Sequence, residues 1–427
     1  MAWRTRLALI LLLATSAAAQ HEHHQHSGTA AELFLLQQTF GTAANPAAVP
    51  MEMLMTRRGN WQLMAHAFLA LINTDQTGPR GREKTFSTNW GMFVAERPVG
   101  RGALLFRSML SLEPATITNR VYPELFQTGE TAFGRQIIDG QHPHDFFMEL
   151  AAEYARPVGR SLVFVYVAPV GDPALGPVAY PHRDSAMEIP QAVLGHHFQD
   201  STHISSAVIT GGVQHGIARF EASAFHGAEP DEERWDLDGG MPDSASARLT
   251  LTPTRSLSAQ ASFGYLTKPE KLEPGDQKRW TASVSYGLPL AHGRWSSSLI
   301  WGRIYKESHD NTLESYLAES TLILGRHSLS ARFENAQKDE LFPHFHPTGR
   351  IERPALPVPT FRVQAYTLGY TIDVWHVGRA SARPDGLKPV VRQVGVGANY
   401  TWYRFPAILQ GFYGEGPRAT LVYLRIR

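Results

Sequence analysis

Over most of this chain hydrophobic side chains recur at every second position, and the alternating stretches are long. Leu257, Ala259, Ala261, Phe263 and Tyr265 alternate with Ser256, Ser258, Gln260, Ser262 and Gly264. Trp280, Ala282, Val284, Tyr286 and Leu288 alternate with Arg279, Thr281, Ser283, Ser285 and Gly287, and Val394, Val396, Ala398, Tyr400 and Trp402 follow the same rule. Ala245, Ala247, Leu249 and Leu251 repeat it against Ser246, Arg248 and Thr250. A period of two sorts side chains onto the two faces of a β-strand. The stretches run about ten to twelve residues, roughly twice a common globular strand and long enough for a tilted strand to cross a bilayer.

Sixteen strands are predicted, near 61–72, 85–97, 102–113, 145–156, 161–171, 204–213, 216–226, 243–253, 256–267, 279–289, 293–306, 313–324, 327–337, 361–373, 389–402 and 416–427. Alternate connections are tight, as at 98–101, 157–160, 253–255 and 325–326, and those between them are mostly long, as at 114–144 and 172–203. Tight turns at one end and long loops at the other mark an all-β, up-and-down antiparallel transmembrane barrel, which in bacteria has an even strand number. The stretch 374–388 is too long for a turn, so fourteen or eighteen strands stay open. A soluble sandwich would carry a solvent-exposed polar face, whereas the polar positions here are Ser, Thr, Gly, Gln and charge pairs such as Arg332 with Glu334, which suit a wet lumen. Tyr265, Trp280, Trp295, Trp301, Tyr305, Trp402 and Tyr403 gather near strand ends, where interfacial girdles form.

The N-terminus sets the expected compartment. Arg4 and Arg6 precede the apolar run Leu7–Leu13 and small residues ending at Ala19, the pattern of a secretory signal peptide cleaved near Ala19. Without that leader the chain carries 38 basic and 39 acidic residues, so no basic stripe argues for nucleic acid. There is no cysteine, which excludes a disulfide framework. The expected organisation is a signal peptide at 1–19, a periplasmic segment containing His and Met at 20–60, and an outer-membrane barrel at 61–427 with its N-terminus in the periplasm.

Several groups of residues point to chemistry. His21, His23, His24 and His26 offer imidazoles for Cu(II) or Zn, and Met51, Met53 and Met55 offer thioethers for Cu(I). His142, His144 and Asp145 add two imidazoles and a carboxylate within four residues, a further candidate metal set, although their loop also suits a constriction at the barrel mouth. His182, Asp184, His196, His197, Asp200 and His203 are assigned to such a constriction in the loop 172–203. Arg219, Glu221, Arg248, Gln260, Arg279, Arg332 and Glu334 fall on the polar side of their strands and are expected to line the lumen. No catalytic residue is assigned, and no cofactor is required. The runner-up chemistry is a rim hydrolase with Ser205, His203 and Asp200 as a triad.

The stretches Asp139–Glu149 (DGQHPHDFFME), Gly171–Pro177 (GDPALGP) and Gly195–His203 (GHHFQDSTH) resemble those of a family of poorly characterised porin-like bacterial outer-membrane proteins, some with a His-rich leader. The resemblance implies a barrel in the outer membrane, with metal-handling genes as plausible company, and no mechanism. The leading expectation is passive passage of small solutes through the barrel, linked to copper or another metal ion through the His/Met-rich N-terminus. A barrel-rim hydrolase and a closed binding or structural barrel are the alternatives. Lipid and small solutes or metal ions are the expected partners.

Overall fold

All sixteen predicted strands form. The computed structural model describes residues 28–273, 275–308, 310–342, 359–376 and 391–427. The wall consists of β1 (Trp61–Gln76), β2 (Glu83–Val99), β3 (Gly102–Leu110), β4 (Phe147–Val158), β5 (Ser161–Gly171), β6 (Ser205–His215), β7 (Ala218–His226) and β8 (Ser244–Thr254). It continues with β9 (Leu257–Leu266), β10 (Gln277–Leu290), β11 (Gly293–Lys306), β12 (Asn311–Leu324), β13 (His327–Lys338), β14 (Phe361–His376), β15 (Gln393–Arg404) and β16 (Arg418–Ile426). Every neighbouring pair is antiparallel, and β16 closes the ring onto β1 from Ala419 opposite Gln76 to Ile426 opposite Leu69.

The alternation read from sequence is the alternation of faces. Val165, Val167, Phe220, Leu249, Phe263, Leu299 and Leu368 are exposed on the outside of the wall, while Glu221, Arg248, Arg332 and Glu319 on the inside are nearly inaccessible. Six of the seven expected girdle aromatics face outward. Tyr403 is the exception: it turns inward and packs against Phe126, with ring centroids 5.2 Å apart, inside the long-loop mouth.

The inside is filled in two different ways. Against β1–β5 it is mainly apolar, around a buried Arg107–Glu149 ion pair: Met64, Met92, Val94, Leu105, Met109, Leu162 and Phe164 point inward and pack on Phe34, Leu35 and Phe40. Those last residues belong to a helix at Ala30–Leu36 and a short strand at Gln38–Phe40. Thr29 caps the helix, its hydroxyl accepting from the Glu32 amide while Glu32 reaches back to the Thr29 amide. The expected boundary at residue 61 is therefore not a boundary in the fold. Residues 28–53 lie inside the wall, with Gln38 donating to Glu153 at 2.8 Å, the Gly41 amide donating to Glu149 at 3.1 Å, and Asn45 donating to the His182 carbonyl at 2.9 Å. Burial of apolar side chains drives this, since a strand such as β5 with apolar residues on both faces needs cover on the lumen side as well.

Against β7–β16 the filling is mostly polar, with apolar patches that join Ala192 and Val193 to Ile300 and Leu317, and Phe198 to Ile304 and Leu313. The segment 172–204 is buried almost throughout and runs along inward-facing side chains of successive strands. Its backbone satisfies itself on the wall, which a buried irregular segment must do. The Ala174 amide donates to Ser223 at 2.7 Å, the Gly176 amide to Ser262 at 2.9 Å, and the Leu194 amide to Glu334 at 2.6 Å. In return Arg248 donates to the Gly176 carbonyl at 3.1 Å, Arg332 to the Gln191 carbonyl at 3.2 Å, and Lys338 to the Leu194 carbonyl at 2.8 Å.

Candidate functional site: the plugged lumen and its cavity

Arg183 is the centre of the plug. Its guanidinium donates to Glu319 of β12 at 2.5 Å, to Asp200 at 3.0 Å and to the Val178 carbonyl at 2.9 Å. Arg332 of β13 holds the other oxygen of Glu319 at 3.2 Å, so one wall carboxylate joins two arginines. Asp200 also accepts from His196 at 2.7 Å and from the Tyr180 amide at 3.0 Å. Burial alone would raise Asp200, but the hydrogen bond from His196 and the charge of Arg183 hold it below the usual carboxylate range. Nearer the short-turn end Glu188 pairs with Arg425 and, at 3.2 Å, with Arg427. Asp184 pairs with Arg294 at 3.1 Å.

Imidazoles run in series through this filling. His66 and His182 have ring centroids 6.0 Å apart; Phe40 stacks on His182 at 5.2 Å and meets His203 at 5.9 Å. His203 lies 5.5 Å from His144 and 5.2 Å from His196, which lies 5.4 Å from His197. Burial pushes His182, His196 and His203 below the usual histidine range, so these rings are neutral at pH 7. His144 goes the other way because Glu113 accepts from its Nδ1 at 2.9 Å. His182 Nε2 lies 3.0 Å from the Met109 sulfur, beside Trp90 at 4.4 Å.

A cavity of about 460 Å³ lies between plug and wall at the short-turn end, lined by His66, Phe68 and Trp90 of the wall, Met51 and Glu52 of the N-terminal segment, and Tyr180, His182 and Met187 of the plug. Arg294, Arg392 and Arg427 also line it.

The predicted site residues fall into place unevenly. His21, His23, His24 and His26 lie outside the described residues. Met51 lines the cavity, and Met53 and Met55 pack on the apolar core, so the three do not form a free sulfur station. His142, His144 and Asp145 do not converge: His142 meets Glu130 at 2.8 Å, His144 meets Glu113, and Asp145 meets Arg234 at 3.0 Å. Burial raises Asp145 to about 7 despite Arg234. His182, Asp184, His196, His197, Asp200 and His203 all lie in the segment 172–204, and His197 sits 3.5 Å from Glu229. Arg219, Glu221, Arg248, Gln260, Arg279, Arg332 and Glu334 face inward. Arg248, Arg279, Arg332 and Glu334 bond to the plug, Arg279 through Ser201 at 2.6 Å, instead of bordering open water.

The triad spacing does not produce a triad. Ser205 donates to the Thr202 carbonyl at 2.8 Å, and His203 Nδ1 meets the main-chain oxygen of Asp200, not its carboxylate. Among the described residues two groups bring three ligand atoms within 4.8 Å: Glu130, His197 and Glu229, and Glu270, Glu273 and Glu340. The second already surrounds the Lys306 ammonium, 2.9 Å from Glu273. The first has Arg234 and Arg279 beside it, each at 3.5 Å. Sequence reading missed Arg183, Glu319, Glu188 and Arg425. The inward charges carried no signal of their partners, since water would solvate them equally well; only the apolar inward row on β5 (Leu162, Phe164, Tyr166) hinted that something covers the lumen side.

No family model matches this chain, and no curated protein matches it. Among solved structures it is similar to an anion-selective porin from Comamonas acidovorans, at 11% identity and a TM-score of 0.49 over 85% of this chain and 99% of that one. It is also similar to OmpF of Salmonella typhi in complex with daunomycin, at 8% identity and a TM-score of 0.48 over 87% and 100%. OmpT, an outer membrane protein of Vibrio cholerae, is similar at 8% identity and a TM-score of 0.46 over 87% and 99%.

Proposed function

We propose that this chain is an outer-membrane barrel that passes small solutes through a lumen closed at rest by its own segment 172–204. The observation that carries this reading is the anchoring of that segment on wall side chains from β7 to β16, above all Arg183 on Glu319. Sixteen strands enclose a width that, unfilled, holds an aqueous channel. The wall behind the plug is polar and mixed in sign, so a released plug uncovers a path with little preference for cations or anions.

The test is conductance in planar bilayers. The intact chain is expected to open rarely, and a variant with residues 175–199 replaced by a short Gly/Ser link is expected to conduct in large, long-lived steps. An intact chain that conducts continuously would overturn closure at rest. A deletion variant that keeps heat-modifiable gel migration yet never conducts would overturn passage and leave a closed binding barrel.

A second reading, metal-ion handling, is favoured by the pairing of a buried imidazole with a thioether at His182 and Met109, a combination suited to copper. On this reading copper, or zinc, is cargo that the His-rich N-terminus collects.

A further inference from the structure

The wall has a flaw at its seam. β16 stops pairing with β1 at Ile426 opposite Leu69, and the hairpin strand Leu54–Arg58 begins pairing with β1 at Leu54 opposite Ala65. Between these two ladders, among the described residues, no strand pairs with His66, Ala67 and Phe68 of β1 on that edge. Ala67 lies six residues beyond Trp61, roughly 20 Å along the strand and about 15 Å of height at a tilt of ~40°. That places the break within an apolar band of about 25 Å, where unpaired backbone is tolerated only if it lines a cavity or is covered. The cavity behind the break confirms the opening. It is bordered both by outward-facing Leu69 and Phe93, exposed at 40% and 59%, and by inward-facing His66, Trp90 and His182. A groove of about 750 Å³ on the outer wall, along Phe93, Ala95, Phe106 and Leu150, shares Leu54, Ala65 and Phe93 with it. One apolar path therefore runs from the outer surface, through the seam, into the lumen.

The geometry points to a lateral portal through which a single-chain anionic amphiphile of the fatty-acid type enters the lumen from the bilayer; we propose this as the ligand of the cavity. The acyl chain is chosen by the medium outside the seam and by the lining of Val49, Met51, Phe68, Trp90, Ile189 and Pro190. The volume lies within the roughly 300–1,000 Å³ of small-molecule pockets. The anionic head is chosen by Arg392: of the three lining guanidiniums, Arg294 is held by Asp184 at 3.1 Å and Arg427 by Glu188 at 3.2 Å, whereas Arg392 meets Glu52 at 3.8 Å. Arg294 and Arg392 straddle Glu52 at 3.9 and 3.8 Å, contacts loose enough for a second carboxylate to share. Arg427 lies over Phe68 at 5.7 Å, joining the head site to the chain site. The inference rests on the reading of the wall as bilayer-spanning.

The test uses 9,10-dibromostearate as a quencher of Trp90 fluorescence in the full chain reconstituted in phosphatidylcholine vesicles, with Trp90→Phe isolating the Trp90 contribution. Saturable quenching is expected. Ala67→Phe, which adds a ring at an exposed position in the break, is expected to weaken it at least tenfold. Arg392→Gln is expected to weaken it severalfold for the acid and leave the brominated alcohol unchanged. Quenching that rises linearly with probe, or that is equal in Ala67→Phe, overturns the portal. Failure of the protein to float with the vesicles overturns the bilayer-spanning reading itself, so the two failures are distinct.

Discussion

Replacing Arg183 by Met should unlock the plug without harming the wall. Arg183 is 1% exposed and makes the plug's direct ion pair to Glu319. Removing one member of a buried ion pair typically costs 3–5 kcal/mol because the other charge is left desolvated. Here neither carboxylate is fully orphaned: Glu319 keeps Arg332 at 3.2 Å and Ser185 at 2.9 Å, and Asp200 keeps His196 and the Tyr180 amide. The lower end applies, about 3 kcal/mol, which at a factor of ten per 1.4 kcal/mol shifts the docked-to-released ratio by roughly a hundredfold. Single-channel recording should show the open fraction rising by about that factor, with heat-modifiable gel migration retained because no wall ladder is touched. Tyr166→Phe is the matched control. It removes a buried 2.8 Å hydrogen bond from β5 to Glu149 on β4, within the wall, and should lower thermal stability while leaving openings unchanged. Openings within twofold of wild type in Arg183→Met, or an equal rise in Tyr166→Phe, would refute the assignment of the lock to Arg183.

Closure should weaken on acidification. In the plug, His182, His196 and His203 titrate lower in the fold than the ordinary 6.5, so their contribution is complete above that value and is lost as pH falls through the lowered ones. Open fraction measured from pH 5 to 9 should rise on the acid side of 6.5, and a curve that is flat or falls there would contradict this. Gly287→Val should expel the N-terminal segment, since a Cβ there would meet a Val49 methyl at 2.2 Å. Overpacking of that kind costs about 1–3 kcal/mol, and faster protease cleavage near residues 45–50 is the readout. Copper titrations of the mature chain and of a chain lacking residues 20–30 should differ in Cu(II) stoichiometry if the His tract collects the ion. Equal binding would remove that tract from the metal reading.

The strands were legible because their physics is local. Each bilayer-length strand must carry apolar residues on its outer face, whatever the rest of the chain does, so period two and length placed all sixteen within a few residues. The uncertain stretch around 374 resolved as an extended β14, with residues 377–390 outside the described residues. What fills the barrel was not legible. A polar inward position such as Arg332 reads the same beside water as beside the Gln191 carbonyl, and only three-dimensional proximity across 141 residues separates the two. The seam is likewise invisible in sequence, since it depends on where two ladders happen to stop against one strand. Local alternation thus determined the wall. The plug, its Arg183 lock and the gap beside Ala67 were decided by tertiary structure, because long-range pairing and desolvation have no period that a sequence can display.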